Sequence, residues 1–172
     1  MEKIQAYLVS GRISSTSKES FELFEKSRFG EKSSEKILYS LTEAFFLVEE
    51  KKMEIFKKDK KMKEKEIEKE FEKLDKKFMT KYLVFKDLRK KGYIVKTALK
   101  FGAEFRVYER GVQIGEEHAT WILFPVSETD KFSWHDFSAK NRIANSTNKK
   151  LLIGIVDEEG DVSYYEVGWE KM

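Results

Sequence analysis

The spacing of the hydrophobic residues changes from a helical period to a strand period near residue 93. Before that point apolar residues recur three or four positions apart, as in Ile67, Phe71 and Leu74, which is the spacing of one helix face. After it, apolar residues come in short alternating runs that are typical of strands. The pattern predicts a first part that is mainly helical after one short strand, and a last part that is mainly sheet.

Capping residues locate the first helices. Residues 3–13 form a strand-like run, after which Ser17 is expected to cap a helix that Gly30 ends. Ser40 and Glu43 have the spacing of a capping box and are expected to begin a second helix. The first part of the chain therefore combines short strands with helices.

A charged stretch follows at residues 57–77. Its beginning, 57–66, is predicted to be a solvated loop that passes into an amphipathic helix. The lysines there fit an RNA-binding stripe, but the interleaved glutamates favour a plain solvated face, so the role of the segment is open. One more helix is expected to begin at Thr80 as its cap and to end at Gly92, and the domain boundary is predicted near residue 77.

The last part of the chain is predicted to be a sheet interrupted by one helix. Ser133, with Asp136 three residues later, begins a helix over about 133–146. The single proline, Pro125, suggests an edge strand or a strand end. Strands are expected at 93–99, 104–110, 120–126, 151–157 and 161–169.

These elements indicate an α+β or mixed α/β fold in two domains. The first, 1–77, is a small domain of short strands plus helices. The second, 78–172, is an α/β domain whose central sheet is mixed, because both hairpins and a helical crossover occur in it.

Composition narrows the function classes. The chain has 34 basic and 31 acidic residues among 172, for a net charge of +3, so charge alone does not indicate a nucleic-acid partner. It has no cysteine, which excludes disulfides and thiolate metal sites and fits a reducing interior. No stretch has the length of a signal peptide or a membrane span, so a cytoplasmic protein without membrane association is expected.

Sequence motifs for metals and cofactors are missing. His118 and His135 are the only histidines, and neither HExxH nor an EF-hand loop occurs. The chain also lacks GxGxxG, GxxxxGK[ST] and GxSxG. We therefore expect neither a metal nor a cofactor, and general acid–base chemistry is what is left.

Tyr108, His118 and Lys149 are the candidate catalytic residues. RNA carries its own nucleophile, the ribose 2′-OH, so its cleavage needs a base, an acid and a cation that stabilises the phosphorane. A phenol, an imidazole and an ammonium group can fill these three roles. Each residue also has a structural explanation: Tyr108 as a half-buried strand tyrosine, His118 as a surface histidine, and Lys149 as a solvated lysine beside Lys150, the choice between these two lysines depending on strand register.

Three segments resemble the tRNA-splicing (tRNA-intron) endonucleases of archaea. They are "YLVFKDLRKKGYIVKTALKFGAEFRVYERG", "GEEHATWILFPV" and "NRIANSTNKKLLIGIVDEEGDVSYYEVGW", and they extend from about residue 81 to 169. "RFGE" and "LYSLTEAFFLVEEKKMEI" are similar to the smaller domain of the same family. That family places its histidine about ten positions after the tyrosine and its lysine about thirty further on; the separations here are 10 and 31.

The resemblance implies a role for each candidate. Tyr108 would be the general base for the 2′-OH, His118 the general acid and Lys149 the transition-state cation. The products would be a 2′,3′-cyclic phosphate and a 5′-hydroxyl. Arg142 matches an arginine that stacks on a bulged nucleotide in the family, although an ordinary helix-surface arginine explains it equally well.

The resemblance also implies an assembly. Excision of an intron from precursor tRNA takes two cuts at a bulge–helix–bulge element, so two active sites must be held at a fixed separation. The chain resembles the homotetrameric subclass, in which an acidic loop docks into a basic pocket on an opposing subunit. The matching residues are Asp157, Glu158, Glu159 and Asp161, which also suit a simple hairpin turn. The final strand is expected to pair across a twofold axis.

Two alternative functions stay open at this point. One is a non-catalytic structural or RNA-binding subunit of a splicing endonuclease complex. The other is a general α/β protein–protein module with no RNA role. The complete set of Tyr108, His118 and Lys149 favours the endonuclease over both.

Overall fold

The computed structural model describes residues 2–99, 102–113, 115 and 118–172. The chain divides into two compact units, Met1–Tyr82 and Leu83–Met172. The boundary predicted near residue 77 lies five residues before this division. Both units combine a mixed sheet with helices, which confirms the predicted fold class.

The first unit contains a six-stranded sheet in the order β3-β4-β2-β1-β5-β6. The pair β1–β5 is parallel, and the other pairs are antiparallel. The elements along the chain are β1 (Ile4–Val9), β2 (Arg12–Ser15), α1 (Lys18–Ser27), β3 (Glu31–Ser33), β4 (Lys36–Tyr39), α2 (Leu41–Glu49), β5 (Met53–Lys57), β6 (Lys60–Lys61) and α3 (Glu64–Leu74), followed by α4 (Phe78–Lys90), which continues into the second unit.

Two predicted helix starts are confirmed. The hydroxyl of Ser17 accepts a hydrogen bond from the backbone N–H of Ser20 at the beginning of α1. Ser40 and Glu43 form the complete capping box of α2. These short polar side chains bind backbone N–H groups that the first turn of a helix leaves without partners.

Two other predicted helix boundaries are wrong. Helix α1 ends at Arg28, which has a φ of 57°, and not at Gly30. Gly30 serves a close approach instead, because a Cβ atom there would lie 2.3 Å from Cγ2 of Ile37. Thr80 lies inside α4, and the carboxylate of Asp75 accepts from the backbone N–H of Lys77 just before that helix begins.

The prediction of a loop at 57–66 is also wrong in part. Strands β5 and β6 form a hairpin, and α3 begins already at Glu64. The amphipathic helix itself is confirmed, with Ile67 and Phe71 buried. The ring of Phe71 makes edge contacts with Phe45 and with Phe78, so the apolar stripe of α3 completes an aromatic core in the first unit.

The second unit contains a five-stranded sheet in the order β11-β10-β9-β8-β7. The pair β9–β10 is parallel, the other pairs are antiparallel, and α5 provides the crossover between β9 and β10. This confirms the predicted mixed sheet. The elements are β7 (Ile94–Thr97), β8 (Phe105–Tyr108), β9 (Trp121–Ser127), α5 (Trp134–Ser146), β10 (Lys150–Val156) and β11 (Val162–Val167).

Pro125 lies near the carboxyl end of β9, as one of the two predicted alternatives has it, although β9 is the central strand of the sheet. The residue is nevertheless partly at an edge. The register of β8 on β9 ends at Phe105 and Leu123, whereas the register of β10 continues past Pro125. A proline is tolerated at this position because β9 has only one neighbouring strand there.

Helices cover both faces of this sheet. On one face, Val84 of α4 lies against Gly154, where an added Cβ atom would be 3.1 Å from Cγ1 of the valine, and Phe85 packs against Phe105. On the other face, Ala144 of α5 belongs to a buried cluster with residues of β9 and β10. Because side chains alternate along a strand, Tyr108 belongs to the face that carries α5, opposite to Phe105.

Candidate active site

Backbone hydrogen bonds bring the three candidate catalytic residues to one edge of the second sheet. The N–H of Thr120 donates to the carbonyl of Val107 at 3.0 Å, and the carbonyl of Thr120 accepts from the N–H of Lys150 at 3.0 Å. Tyr108 and Lys149 are the chain neighbours of those two partners, and His118 lies two residues before Thr120. The carboxyl end of β8 and the amino ends of β9 and β10 therefore meet at this edge.

Tyr108 is the last residue of β8 and is buried, with 6% of its surface exposed. It pairs with Ile94 of β7. A turn at residues 110–111 follows the strand, and Gly111 has a φ of 77°, a conformation that glycine adopts readily. The aromatic ring is thus held by packing on the face that carries α5, at the point where the strand opens into a loop.

Lys149 lies between α5 and β10. Its backbone N–H donates to the carbonyl of Ala144 at 2.8 Å, and its Nζ lies 3.5 Å from the carbonyl oxygen of Thr147, the C-cap of α5. A helix C-terminus carries partial negative charge that attracts a cation. The half-buried ammonium group is therefore placed by the end of the helix, with no carboxylate partner among the residues that the structure describes.

Register distinguishes Lys149 from its neighbour. Lys150 is the first residue of β10, pairs with Trp121, and forms a 3.4 Å ion pair with Glu166 of β11. Its side chain is well exposed. Lys150 thus belongs to the sheet, paired with β9 through its backbone and with β11 through its side chain, whereas Lys149 belongs to the helix-to-strand junction.

His118 is exposed and precedes β9. It lies in the segment between β8 and β9 that the sequence predicts to be a loop. Its chain neighbours Glu116 and Glu117 lie outside the described residues. The exposed imidazole is accessible to a substrate at the edge where Tyr108 and Lys149 are fixed by the sheet.

Arg142 lies on the exposed side of α5, whose capping box of Ser133 and Asp136 confirms the predicted helix start. It lines a surface pocket of about 590 Å³. Phe137, Val167 and Trp169 supply apolar surface to the same pocket. Sequence reasoning missed this pocket; the signal was an aromatic residue, Trp169, directly after an edge strand, where it is 68% exposed.

The acidic turn between β10 and β11 lies at the other end of the strands, away from Tyr108 and Lys149. One oxygen of Asp157 accepts from the N–H groups of Glu159 and Asp161, at 2.9 and 3.0 Å. The N–H of Glu158 donates to the carboxylate of Glu128 at 3.2 Å. Asp157 therefore shapes the turn, while the side chains of Glu158, Glu159 and Asp161 are exposed to solvent.

The described residues include neither a cluster of metal ligands nor a membrane-spanning helix. No group of three or more His, Cys, Asp or Glu residues in the described part of the chain could hold a metal ion. No helix within the described ranges is both long and apolar enough to cross a membrane.

Comparison with known proteins identifies the family. The sequence profile of the tRNA intron endonuclease, catalytic C-terminal domain, matches residues 78–164, and that of the tRNA intron endonuclease, N-terminal domain, matches residues 4–68. The chain belongs to the tRNA intron endonuclease family. It is an enzyme of that family with its catalytic domain present, which confirms the resemblance seen in the sequence.

Archaeal relatives share both domains. The tRNA-splicing endonuclease of Thermococcus kodakarensis is 42% identical over 166 residues, which cover 96% of this chain and 97% of the relative. That of Pyrococcus horikoshii is 38% identical over 169 residues, covering 98% and 97%. The Nanoarchaeum equitans enzyme is 42% identical over 137 residues, covering 76% and 88%. The chain is thus similar to these endonucleases over nearly their whole length.

Proposed function

We propose that the chain cleaves precursor tRNA at bulge–helix–bulge elements without a metal ion. The observation that carries this proposal is the double hydrogen bonding of Thr120 to Val107 and Lys150. It holds the end of β8 and the start of β10 on either side of Thr120. Tyr108 ends the first of these strands, Lys149 precedes the second, and His118 lies two residues before Thr120. The family membership supports RNA as the substrate.

Tyr108, His118 and Lys149 act in one displacement at phosphorus. The Tyr108 oxygen takes the proton of the ribose 2′-OH, and the 2′-oxygen forms a bond to phosphorus. The bond from phosphorus to the 5′-oxygen breaks, and the imidazolium of His118 protonates the leaving oxygen. Lys149 stabilises the negative charge of the phosphorane between these steps. The products are a 2′,3′-cyclic phosphate and a 5′-hydroxyl.

Arg142 positions the substrate beside this site. A guanidinium plane can stack on an unpaired base while its charge faces phosphate. Its exposure on α5, beside the apolar wall of the 590 Å³ pocket, supports this role. A bulged nucleotide suits the position because its base is free to leave the helical stack.

A homotetramer would present two such sites to one precursor. Strand β11 is an edge strand of the second sheet and can pair with the same strand of a second subunit. The exposed carboxylates of Glu158, Glu159 and Asp161 then provide a contact to a basic pocket on another dimer. In this arrangement Asp157 supports the contact through the turn that it stabilises.

The proposed function is tested by cleavage of a bulge–helix–bulge RNA in EDTA. Wild-type protein is expected to cut it, and His118→Ala to slow the single-turnover rate by ~10²–10⁴-fold, as the loss of a positioned acid does. His135→Ala, at an exposed position of α5, is the matched control and should keep the wild-type rate. Tight binding without cleavage by the wild type would instead favour a non-catalytic subunit.

A further inference from the structure

A groove lined by lysines lies on the first unit, between the β5–β6 hairpin and α3. It has a volume of about 520 Å³ and includes two acidic residues, Glu66 and Glu70. We call it the lysine groove, after its lysines: Lys57, Lys58, Lys60, Lys61, Lys69 and Lys73. Six positive charges against two negative ones make this surface strongly basic, although the chain as a whole carries only +3.

The charges of α3 are sorted between its faces. Lys69 and Lys73 line the groove together with the two glutamates, at the spacing of three and four residues that defines one helix face. The other glutamates of the helix, Glu64, Glu68 and Glu72, do not line the groove. The sequence of α3 reads as evenly mixed charge, but the fold places most of its acidic groups away from the groove.

Ion pairing uses only part of this positive charge. Lys57 forms a 2.6 Å ion pair with Glu70, and Lys61 forms one of the same length with Glu54. The hydrogen bond from Lys57 lowers the pKa of Glu70, and the charges of Lys57 and Lys73 act in the same direction. The other four lysines, Lys58, Lys60, Lys69 and Lys73, are exposed and have no salt bridge within the described ranges.

The turn of the hairpin carries a lysine where backbone geometry favours other residues. Lys58 and Asp59 both have positive φ, at 50° and 60°, as in a two-residue hairpin turn that usually contains Asn-Gly. Residues other than Gly, Asn and Asp are uncommon in this conformation, because the Cβ atom crowds the backbone. The position therefore places a cation at the tip of the hairpin, at the rim of the groove, against local conformational preference.

We propose that the lysine groove binds the phosphate backbone of the RNA substrate. This inference rests on the proposed function only in taking that substrate to be RNA. Concave geometry, four exposed cations without carboxylate partners and a net positive lining match a polyanion. Lysine is a point charge that contacts phosphate without reading bases, so the groove adds affinity that is independent of sequence at the cleavage site. It lies in a different unit from Tyr108, His118 and Lys149.

The test compares two variants of the full chain with equal change in net charge. The groove variant replaces the four lysines without carboxylate partners by serine: Lys58→Ser, Lys60→Ser, Lys69→Ser and Lys73→Ser. The control variant replaces four exposed lysines that do not line the groove: Lys26→Ser, Lys36→Ser, Lys65→Ser and Lys76→Ser. The probe is a bulge–helix–bulge RNA with 2′-deoxyribose at both cleavage positions, which removes the nucleophile and prevents cutting. Thermal unfolding verifies that both variants are folded.

The measured quantity is the dissociation constant between about 50 and 200 mM salt. The groove variant is expected to bind at least ~10-fold more weakly at the low-salt end, and the slope of log K against log salt is expected to fall by about 3, since each phosphate contact contributes roughly 0.7–0.9. The control variant should stay within about 2-fold of wild type. Equal slopes of log K against log salt for the two variants would overturn the proposal. The same result is expected if the groove binds an acidic protein surface instead of RNA.

Failure of the proposed function has a different signature. The groove variant, at saturating cleavable RNA, should cut at the wild-type single-turnover rate, because its lysines belong to a different unit from the three candidate catalytic residues and take no part in the proposed displacement. If the wild type does not cleave at all, the proposed function fails, yet the salt slope with the uncleavable RNA still decides on the lysine groove.

Discussion

Lys149 and Lys150 are neighbours with the same chemistry and different surroundings. Lys150 is occupied by an ion pair with Glu166, which keeps its ammonium group on the β10–β11 ladder. Lys149 is half-buried at the end of α5, and its Nζ approaches only a carbonyl oxygen among the described residues. A cation without a carboxylate partner is available to a phosphorane, whereas a paired one is partly neutralised.

This difference gives a prediction for the two lysines. Lys149→Ala is expected to lower the single-turnover cleavage rate by ~10²–10³-fold, as the loss of one transition-state partner does. Lys150→Ala should change it by less than about 3-fold and cost at most ~1 kcal/mol of stability, because exposed ion pairs contribute little. Rates measured on the same precursor RNA check both, and equal losses in the two variants would contradict the assignment.

Asp75 provides a residue-scale prediction on pH. Partial burial works to raise its pKa, but hydrogen bonds from the Lys81 side chain and the Lys77 backbone outweigh burial, so the pKa of Asp75 lies below its usual value. A carboxyl group whose pKa is lowered by folding contributes stability above its unfolded pKa of about 3.9 and loses it as the pH falls further.

Asp75→Asn should therefore destabilise the protein by about 1 kcal/mol at pH 7 and by progressively less as the pH falls below about 4. Thermal unfolding of variant and wild type across that range measures the difference. If the destabilisation caused by Asp75→Asn grew as the pH fell, a lowered pKa of Asp75 would be contradicted.

At the scale of elements, sequence reasoning was most reliable where short polar side chains fix a helix start. The capping boxes at Ser40 and Ser133 were predicted correctly because their hydrogen bonds involve residues three positions apart and depend on nothing remote. The β5–β6 hairpin was missed because lysines have low strand propensity and its turn lacks glycine. Gly30 was misread because its close approach to Ile37 is a tertiary contact.

The candidate site was likewise predicted from the sequence only where local patterns determine it. The resemblance to the family, with its spacing of tyrosine and histidine, led to Tyr108 and His118 as candidates, and a helix followed by a strand was predicted around Lys149. The hydrogen bonds of Thr120 that bring these segments together join residues from three strands, and no local pattern encodes them. The pocket beside Arg142 likewise needs Trp169, which approaches α5 only through the order of the sheet.

A side-chain hydrogen bond joins strand β11 to helix α4. The hydroxyl of Tyr164 donates to the carboxylate of Asp87 on α4 at 2.7 Å, and Lys91 lies 5.3 Å from the centre of the tyrosine ring. Burial, then the bond to Asp87, raise the pKa of Tyr164, so the phenol stays protonated and the bond persists across the physiological range. An edge strand is thereby attached to the helix beneath it.

Tyr164→Phe is expected to cost about 0.5–1.5 kcal/mol, because the half-buried carboxylate of Asp87 loses this donor and keeps its ion pair with Lys91. Hydrogen exchange of the β11 backbone amides should become faster if local opening of the strand is affected. Tyr165→Phe is the matched control: this residue is the next in the strand, is 58% exposed and has no comparable bond among the described residues. Equal exchange rates in the two variants would exclude an anchoring role for Tyr164.

For the whole molecule, the exposed carboxylates at the β10–β11 turn lead to a prediction about assembly. If Glu158, Glu159 and Asp161 dock into a basic pocket on an opposing dimer, reversing their charge should separate the dimers and leave the pairing of β11 intact. The variant Glu158→Lys, Glu159→Lys and Asp161→Lys should then have half the wild-type mass in light scattering. Wild type is expected at four times the chain mass of 20.4 kDa. Asp157 is kept, because its carboxylate holds the turn.

The matched control reverses three exposed glutamates of the first unit, Glu2→Lys, Glu35→Lys and Glu72→Lys, with the same change in net charge. It should retain the wild-type mass, because its substitutions lie outside the acidic turn. Since the net charge changes equally in the two variants, a difference in mass between them is due to the position of the charges. The proposed contact is electrostatic, so raising the salt concentration should also lower the mass of the wild type toward that of a dimer. We call the Glu158→Lys, Glu159→Lys and Asp161→Lys variant the acidic-turn variant. A tetrameric acidic-turn variant would show that the turn is only a hairpin connection. Loss of mass in both variants would show that net charge, and not this surface, controls assembly.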